Sequence, residues 1–244
     1  NDPSIPNGGF DFAAFDLATG ALTSRYPGPA GAVLPRIRRL ELNGGDLFML
    51  NEQVTAVHHS QLLRMDEATG LLTAWDPGAV DGSPEMMAVG ATNVVIGGGV
   101  LYGVNGMTTA KLVALDATTG EVLQSMKNWI NGNVLSIAIS GDTIYAGGDF
   151  TQNYGVSRPG VLAEDRITGA SLAWIPSVTG GATFSLAVDG GRIHAGGSFT
   201  TVNGSAVPYL ATLDRSPAAL VPGSPAAAPN SAVLLARTVR IRAA

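Results

Sequence analysis

Apolar and small or polar positions alternate through most of the chain, and Gly-containing turns cut the alternation into short segments. The clearest unit runs from Gly132 to Pro176. Val134-Leu135-Ser136-Ile137-Ala138-Ile139 alternates apolar with small residues and predicts a strand packed on both faces. Ser140–Thr143 predicts a tight turn, 144–150 a second strand, Thr151–Pro159 a loop and 161–164 a third strand. Asp165-Arg166-Ile167-Thr168-Gly169 then predicts a hairpin turn into a fourth strand over 171–176. Four short antiparallel strands in sequence describe one blade-like sheet.

The unit is written again along the chain. Its turn recurs at Asp16-Leu17-Ala18-Thr19-Gly20, Asp66-Glu67-Ala68-Thr69-Gly70 and Asp116-Ala117-Thr118-Thr119-Gly120, with a decayed copy at Asp214-Arg215-Ser216-Pro217. The steps between these Asp residues are 50, 50, 49 and 49. A fixed period of that size is the mark of a solenoid, propeller or array. Within the turn, Asp accepts from amides further on, Thr adds a hydroxyl and Gly takes the positive φ, so these residue types are expected for structure alone. A Gly-Gly pair recurs at Gly97-Gly98, Gly147-Gly148 and Gly196-Gly197, where a bulge or close backbone approach is expected.

The fold expected is therefore all-β: a β-propeller of four-stranded antiparallel blades forming a single domain over residues 1–244. Counting periods gives five blades, the fifth closed by residues 215–244 together with 1–15. The stretch from 217 to 232, rich in Pro, Ala and Ser, reads alternatively as a linker to flanking domains of a longer chain.

Composition narrows the function classes. A net charge of −5 and no cluster of basic residues with interleaved aromatics argue against a nucleic-acid partner. With no Cys there are no disulfides, thiolate metal sites or cysteine nucleophiles. No apolar run is long enough to span a membrane as a helix. Low Lys content, Gly/Thr/Asn-rich loops and Asn1 in place of an initiating Met suit a processed extracellular or cell-surface chain, with the periplasm as a further setting.

The phrases Ile144-Tyr145-Ala146-Gly147-Gly148-Asp149-Phe150-Thr151 and Ile193-His194-Ala195-Gly196-Gly197-Ser198-Phe199-Thr200, with the Asp-x-x-Thr-Gly turn followed by Trp75 or Trp174, resemble bacterial repeat β-propellers of the PQQ-like (quinoprotein-like), delta-60 and kelch-like groups. The resemblance covers nearly the whole chain and implies blade architecture. It does not extend to quinoprotein redox chemistry, which uses a vicinal disulfide, nor to copper-radical chemistry, which uses a Cys–Tyr crosslink. No cofactor is expected.

Because repeating residues are scaffold, non-repeating ones carry the candidate chemistry. His58 and His59 sit together in a second-to-third-strand loop, without His-x-His or His-Glu-x-x-His spacing, so no metal is expected. Trp75 and Trp174 hold equivalent positions and either pack between blades or stack on a ligand. Arg158 and Asn203 fall on the same loop face, Asn203 in a formal Asn-x-Ser acceptor. Asp149 with Asn153 lacks the further oxygen ligands of a calcium loop. Near the start of the innermost strands one register reads Arg38, Glu85, Leu135 and Phe184, with Arg36 and Asn133 two residues before two of them. Arg38 and Glu85 either pair or act on something in the axial mouth. The leading expectation is a non-enzymatic binding or assembly module for a protein or glycan. The alternative is a hydrolase or lyase using Glu85 on a carbohydrate or small molecule, although glycoside hydrolysis needs a second carboxylate.

Overall fold

The computed structural model describes residues 13–16, 18–25, 37–52, 59–108, 111–123, 129–216 and 218–222, with their side chains except at 13, 14, 22–25, 52 and 59–61. Among these residues every regular element is a β-strand. Four antiparallel sheets follow one another. Blade 1 has inner strand Ile37–Asn43, middle strand Asp46–Glu52 and outer strand His59–Asp66. Blade 2 has Met86–Val89, Asn93–Gly97 and Leu112–Asp116. Blade 3 has Val134–Ser140, Thr143–Gly148 and Val161–Asp165, and blade 4 has Thr183–Asp189, Arg192–Gly197 and Leu210–Asp214. The inner strands neighbour each other in chain order, so the sheets stand radially, as blades.

The alternation in the sequence has a direct cause. Each blade is covered on both faces, and successive side chains of a strand enter different cores. Val94 and Ile96 join Phe48, Leu50 and Trp75 between blades 1 and 2, while Val95 joins Ile144, Ala146 and Phe150 between blades 2 and 3. Tyr145, next to Ile144, points the other way, into the core it shares with Trp174, Ile193 and Phe199 between blades 3 and 4.

The expected fourth strand is reduced to one bridge per blade: Met65 with Leu72, Leu115 with Val122, Glu164 with Ser171 and Leu213 with Leu220. In blades 1 and 3 the chain leaves the sheet because Trp75 and Trp174 turn into the core, and Pro77 and Pro176 have no N–H to continue the ladder. A second correction concerns Thr151–Pro159. This segment is a hairpin, Gln152–Asn153 against Val156–Ser157. It has counterparts at Val100–Val104 with Met107–Thr108 and at Thr201–Val202 with Ser205–Ala206. The tips Asn105-Gly106, Tyr154-Gly155 and Asn203-Gly204 all take positive φ, as a type I′ turn requires. Each tip is stitched to the linker entering its own blade: Asn105, Tyr154 and Asn203 N–H donate to Ala79, Trp129 and Ser177 carbonyls at 2.7, 3.2 and 2.8 Å. Val80–Ser83 lies between His59–Ser60 and Val100–Val104, so one sheet runs from blade 1 into the hairpin of blade 2.

The closing fifth blade, expected from residues 215–244 together with 1–15, falls largely outside the described residues. Within them, Ala13–Phe15 pairs with Leu22–Arg25. Val221 N–H donates to Thr212 O at 2.8 Å, so this part of the stretch read alternatively as a linker runs along the edge of blade 4.

The Asp turns form as the residue chemistry dictates. Asp66 Oδ1 accepts from the Thr69 amide and hydroxyl, each at 2.7 Å, and Asp16 and Asp165 repeat this with Thr19 and Thr168. Asp116 accepts from the Thr118 and Thr119 amides at 2.7 Å. These bonds favour the ionised form. The Thr hydroxyl leads at Asp16 and Asp66 and the Thr amide at Asp116 and Asp165, and all four carboxyls lie below the ordinary value of 3.8. A native pKa held below the unfolded one gives stability that is full above 3.8 and is lost as the pH falls below that value towards the lowered native values. The triple variant Asp66→Asn, Asp116→Asn, Asp165→Asn is therefore expected to show a flatter acid limb, measured as urea midpoints between about pH 5 and about pH 2.

Candidate functional site

The two ends of the strands differ in chemistry. At the first, three of the four inner strands begin with a one-residue slip in register: at Arg38 between Ile37 and Arg39, at Leu135 between Val134 and Ser136, and at Phe184 between Thr183 and Ser185. Glu85 takes the corresponding place in blade 2, its N–H on Gly97 O at 2.9 Å. The register read from sequence is thus an arc of positions at the starts of the inner strands, three of them at bulges. Arg38 and Glu85 meet at 3.4 Å, and the Glu85 side chain is 53 % exposed. Asn133 donates to both oxygens of Asp149, from its backbone at 2.5 Å and its amide at 2.8 Å. Each carboxylate therefore already has a protein partner. Arg36 lies outside the described residues.

The hairpins project at the same end as these bulges, because they follow directly on the Gly-Gly ends of the middle strands. Arg158 is buried there, its guanidinium donating to Ser157 O and Leu172 O, both at 3.3 Å. Asn203 accepts from Ser177 N–H at 2.8 Å and donates to Ala218 O at 3.0 Å, so its amide is used in the stitch. His58 lies outside the described residues, and His59 is placed by its backbone opposite Asp81. His194 shares a 3.0 Å bond with Thr212 Oγ1 within blade 4. Trp75 and Trp174 are only 6 and 7 % exposed, each donating its indole N–H into the neighbouring blade. Among the described residues, the sequence-selected side chains do not form one patch.

It does bring together residues that sequence reasoning passed over. Trp129 is 71 % exposed and Tyr154 is 54 % exposed, and the Tyr154 amide bonds the Trp129 carbonyl. Tyr154 has a φ of 50-odd degrees, 52, where the other two hairpins carry Asn. Asn is well tolerated in this region and a bulky residue is not. Beneath the hairpin, Glu164 is fully buried at the register of Met65, Leu115 and Leu213, accepting from Asn153 at 2.7 Å. The Tyr154 hydroxyl is pushed above its ordinary value, first by desolvation and then by the negative charge of Glu164. The available signal was a non-repeating residue at a repeating register: Tyr for Asn at a turn tip, Glu for an aliphatic residue in a core.

No family model matches the chain, and no curated protein does. Among solved structures it is similar to PorZ, an essential bacterial surface component of the type-IX secretion system of Porphyromonas gingivalis. The TM-score is 0.52 at 12 % identity, over 83 % of this chain and 30 % of PorZ. It is also similar to BamB from Moraxella catarrhalis, with a TM-score of 0.44 at 19 % identity, over 75 % of this chain and 49 % of BamB. The chain thus spans less than half of either protein. The likeness to PorZ, with the radial sheets, supports a propeller-like all-β fold.

Proposed function

We propose that the chain is a non-enzymatic binding or assembly module, secreted, cell-surface or periplasmic, that presents its hairpin end to a protein or glycan. The observation that carries this reading is the pair Trp129 and Tyr154. Both rings are exposed, and their backbones are tied together, Tyr154 N–H to Trp129 O at 3.2 Å and Trp129 N–H to Asn153 Oδ1 at 3.1 Å. Trp and Tyr are the side chains that dominate binding hot spots, and strain kept at a tip residue points to use of its side chain. PorZ, a surface component of a secretion system, is an instance of this kind of fold serving an assembly. The enzymatic alternative has less support, because Glu85 is engaged by Arg38 and Asn133 by Asp149.

The test is a glycan and peptide array probed with the wild-type chain and with Trp129→Ala/Tyr154→Asn. Retained ligands should weaken about tenfold or more in the double variant. Tyr154→Asn alone should raise stability by roughly 1 kcal/mol by relieving the left-handed backbone. Binding unchanged in the double variant would overturn the assignment. So would turnover of nitrophenyl glycosides that disappears in Glu85→Gln.

A further inference from the structure

At the opposite end of the strands, beside the Asp turns, each of the three junctions between the described blades holds a guanidinium, and two of them add a Trp against an aromatic ring. Between blades 1 and 2, Trp75 meets Phe48 edge-on at 5.4 Å and donates to Asp116 O at 3.1 Å. Arg64 lies over the Phe48 ring at 5.7 Å, pairs with Asp46 at 2.6 Å and donates to Ala117 O at 3.0 Å. Between blades 2 and 3 the cation is Arg166, which reaches Thr92 Oγ1 at 2.7 Å and pairs with Asp142. Each of these guanidinium groups has its carboxylate.

The junction of blades 3 and 4 repeats the frame without the acid. Trp174 meets Tyr145 edge-on at 5.2 Å and donates to Asp214 O at 2.9 Å. A guanidinium again lies over the ring, at 6.0 Å, but it is that of Arg215 and comes from the other blade. Ala163 stands in the place of Arg64, Thr143 in the place of Asp46, and Gly191 in the place of Asp142. Both carboxylate positions are vacated while the cation is kept. Arg215 bonds Tyr145 Oη at 3.1 Å and Gly190 O at 3.5 Å, and no carboxylate pairs with it among the described residues. A cleft of about 600 Å³ opens there, lined by Thr143, Tyr145, Trp174, Gly191, Arg215 and Ser216.

We propose that this cleft binds a carboxylate, which pairs with Arg215 as Asp46 pairs with Arg64 and Asp142 with Arg166 in the other two niches. A guanidinium offers a carboxylate paired, charge-assisted bonds. The Thr143 and Ser216 hydroxyls line the same space, and the Trp174 and Leu172 side chains give an apolar wall for a short aliphatic stem. The volume is in the range of small-ligand sites. The carboxylate comes either from a free small acid or from an acidic side chain of a peptide. The site stands independently of the hairpin face.

The chain has three Trp residues and hence three indole N–H signals, and that of Trp174 reports on the cleft. Titrating the ¹⁵N-labelled chain with glutarate, and separately with the blocked peptide acetyl-Ala-Glu-Ala-amide, should move the Trp174 signal saturably and leave that of Trp75 in place. Arg215→Gln should weaken binding about tenfold or more. Gly191→Asp supplies the acid from within. A Cβ at Gly191 meets nothing within 4 Å, so this variant should fold, gain thermal stability and lose the shift even if Arg215→Gln proves unstable. Whichever probe binds more tightly names the source. No Trp174 shift with either probe, or the same shift in Arg215→Gln and Gly191→Asp, overturns the proposal.

Discussion

Trp174→Ala is expected to lower the unfolding free energy by about 3–5 kcal/mol, the range for removing a buried aromatic ring. The indole is 7 % exposed and forms one wall of the core between blades 3 and 4. Its loss leaves a void against Tyr145 and frees the Asp214 carbonyl that its N–H occupies. Trp174→Phe separates the two contributions. It keeps most of the volume and loses the N–H bond, so it should cost about 1–3 kcal/mol, the penalty of an unsatisfied buried group. Trp75→Ala should behave alike, since Trp75 makes the same bond to Asp116 O and the same edge-on contact, with Phe48. Urea unfolding at neutral pH measures all three. A loss under about 1 kcal/mol for Trp174→Ala would mean that the blades are held by their sheets and inner strands rather than by this side chain.

The duplication of that Trp environment is the kind of feature a repeat makes legible. The period, the alternation and the Asp turn all came through because each is enforced locally in every copy: two faces feed two cores, and the Asp–Thr bonds close the same loop each time. The arc of Arg38, Glu85, Leu135 and Phe184 at the inner-strand starts was also legible, as a register carrying non-repeating residues. The stitching hairpins were not. Gln152–Asn153 and Val156–Ser157 are two residues each, too short for periodicity to register, and only the turn tips mark them. Arg158 reads as a loop residue yet is buried, because the hairpin folds over its stem. Long basic side chains bury aliphatic stems readily, and the sequence gives no warning of it. The niche at Arg215 was hidden for a different reason. Its cation belongs to one repeat and its aromatic ring to another, so the vacated acid is visible only when junctions, rather than repeats, are compared. The buried Trp side chains show the same effect, since one sequence position served equally for packing and for display.

Gly148→Ala is the second large effect, and it follows from the bulges. The slip at Leu135 drives the start of the blade 3 inner strand onto the middle strand, and a Cβ at Gly148 would lie 1.9 Å from Asn133 O and 2.8 Å from the Phe150 ring. Gly197 repeats the contact, 2.0 Å from Ala182 O. The obstacle is a backbone carbonyl, which no rotamer change can move aside. Accommodating the methyl means shifting Asn133, and with it the bond from Asp149 N–H to Asn133 O and the two bonds from Asn133 to the Asp149 carboxylate. The expected cost is about 3 kcal/mol or more, at the upper end of overpacking. Gly191→Ala is the matched control: its Cβ meets nothing within 4 Å, and its cost should stay within about 0.5 kcal/mol. If both variants unfold at the wild-type urea concentration, the middle strand of blade 3 yields where the bulge presses on it. The Gly-Gly pairs would then serve the turn into the hairpin instead of the close approach of two strands.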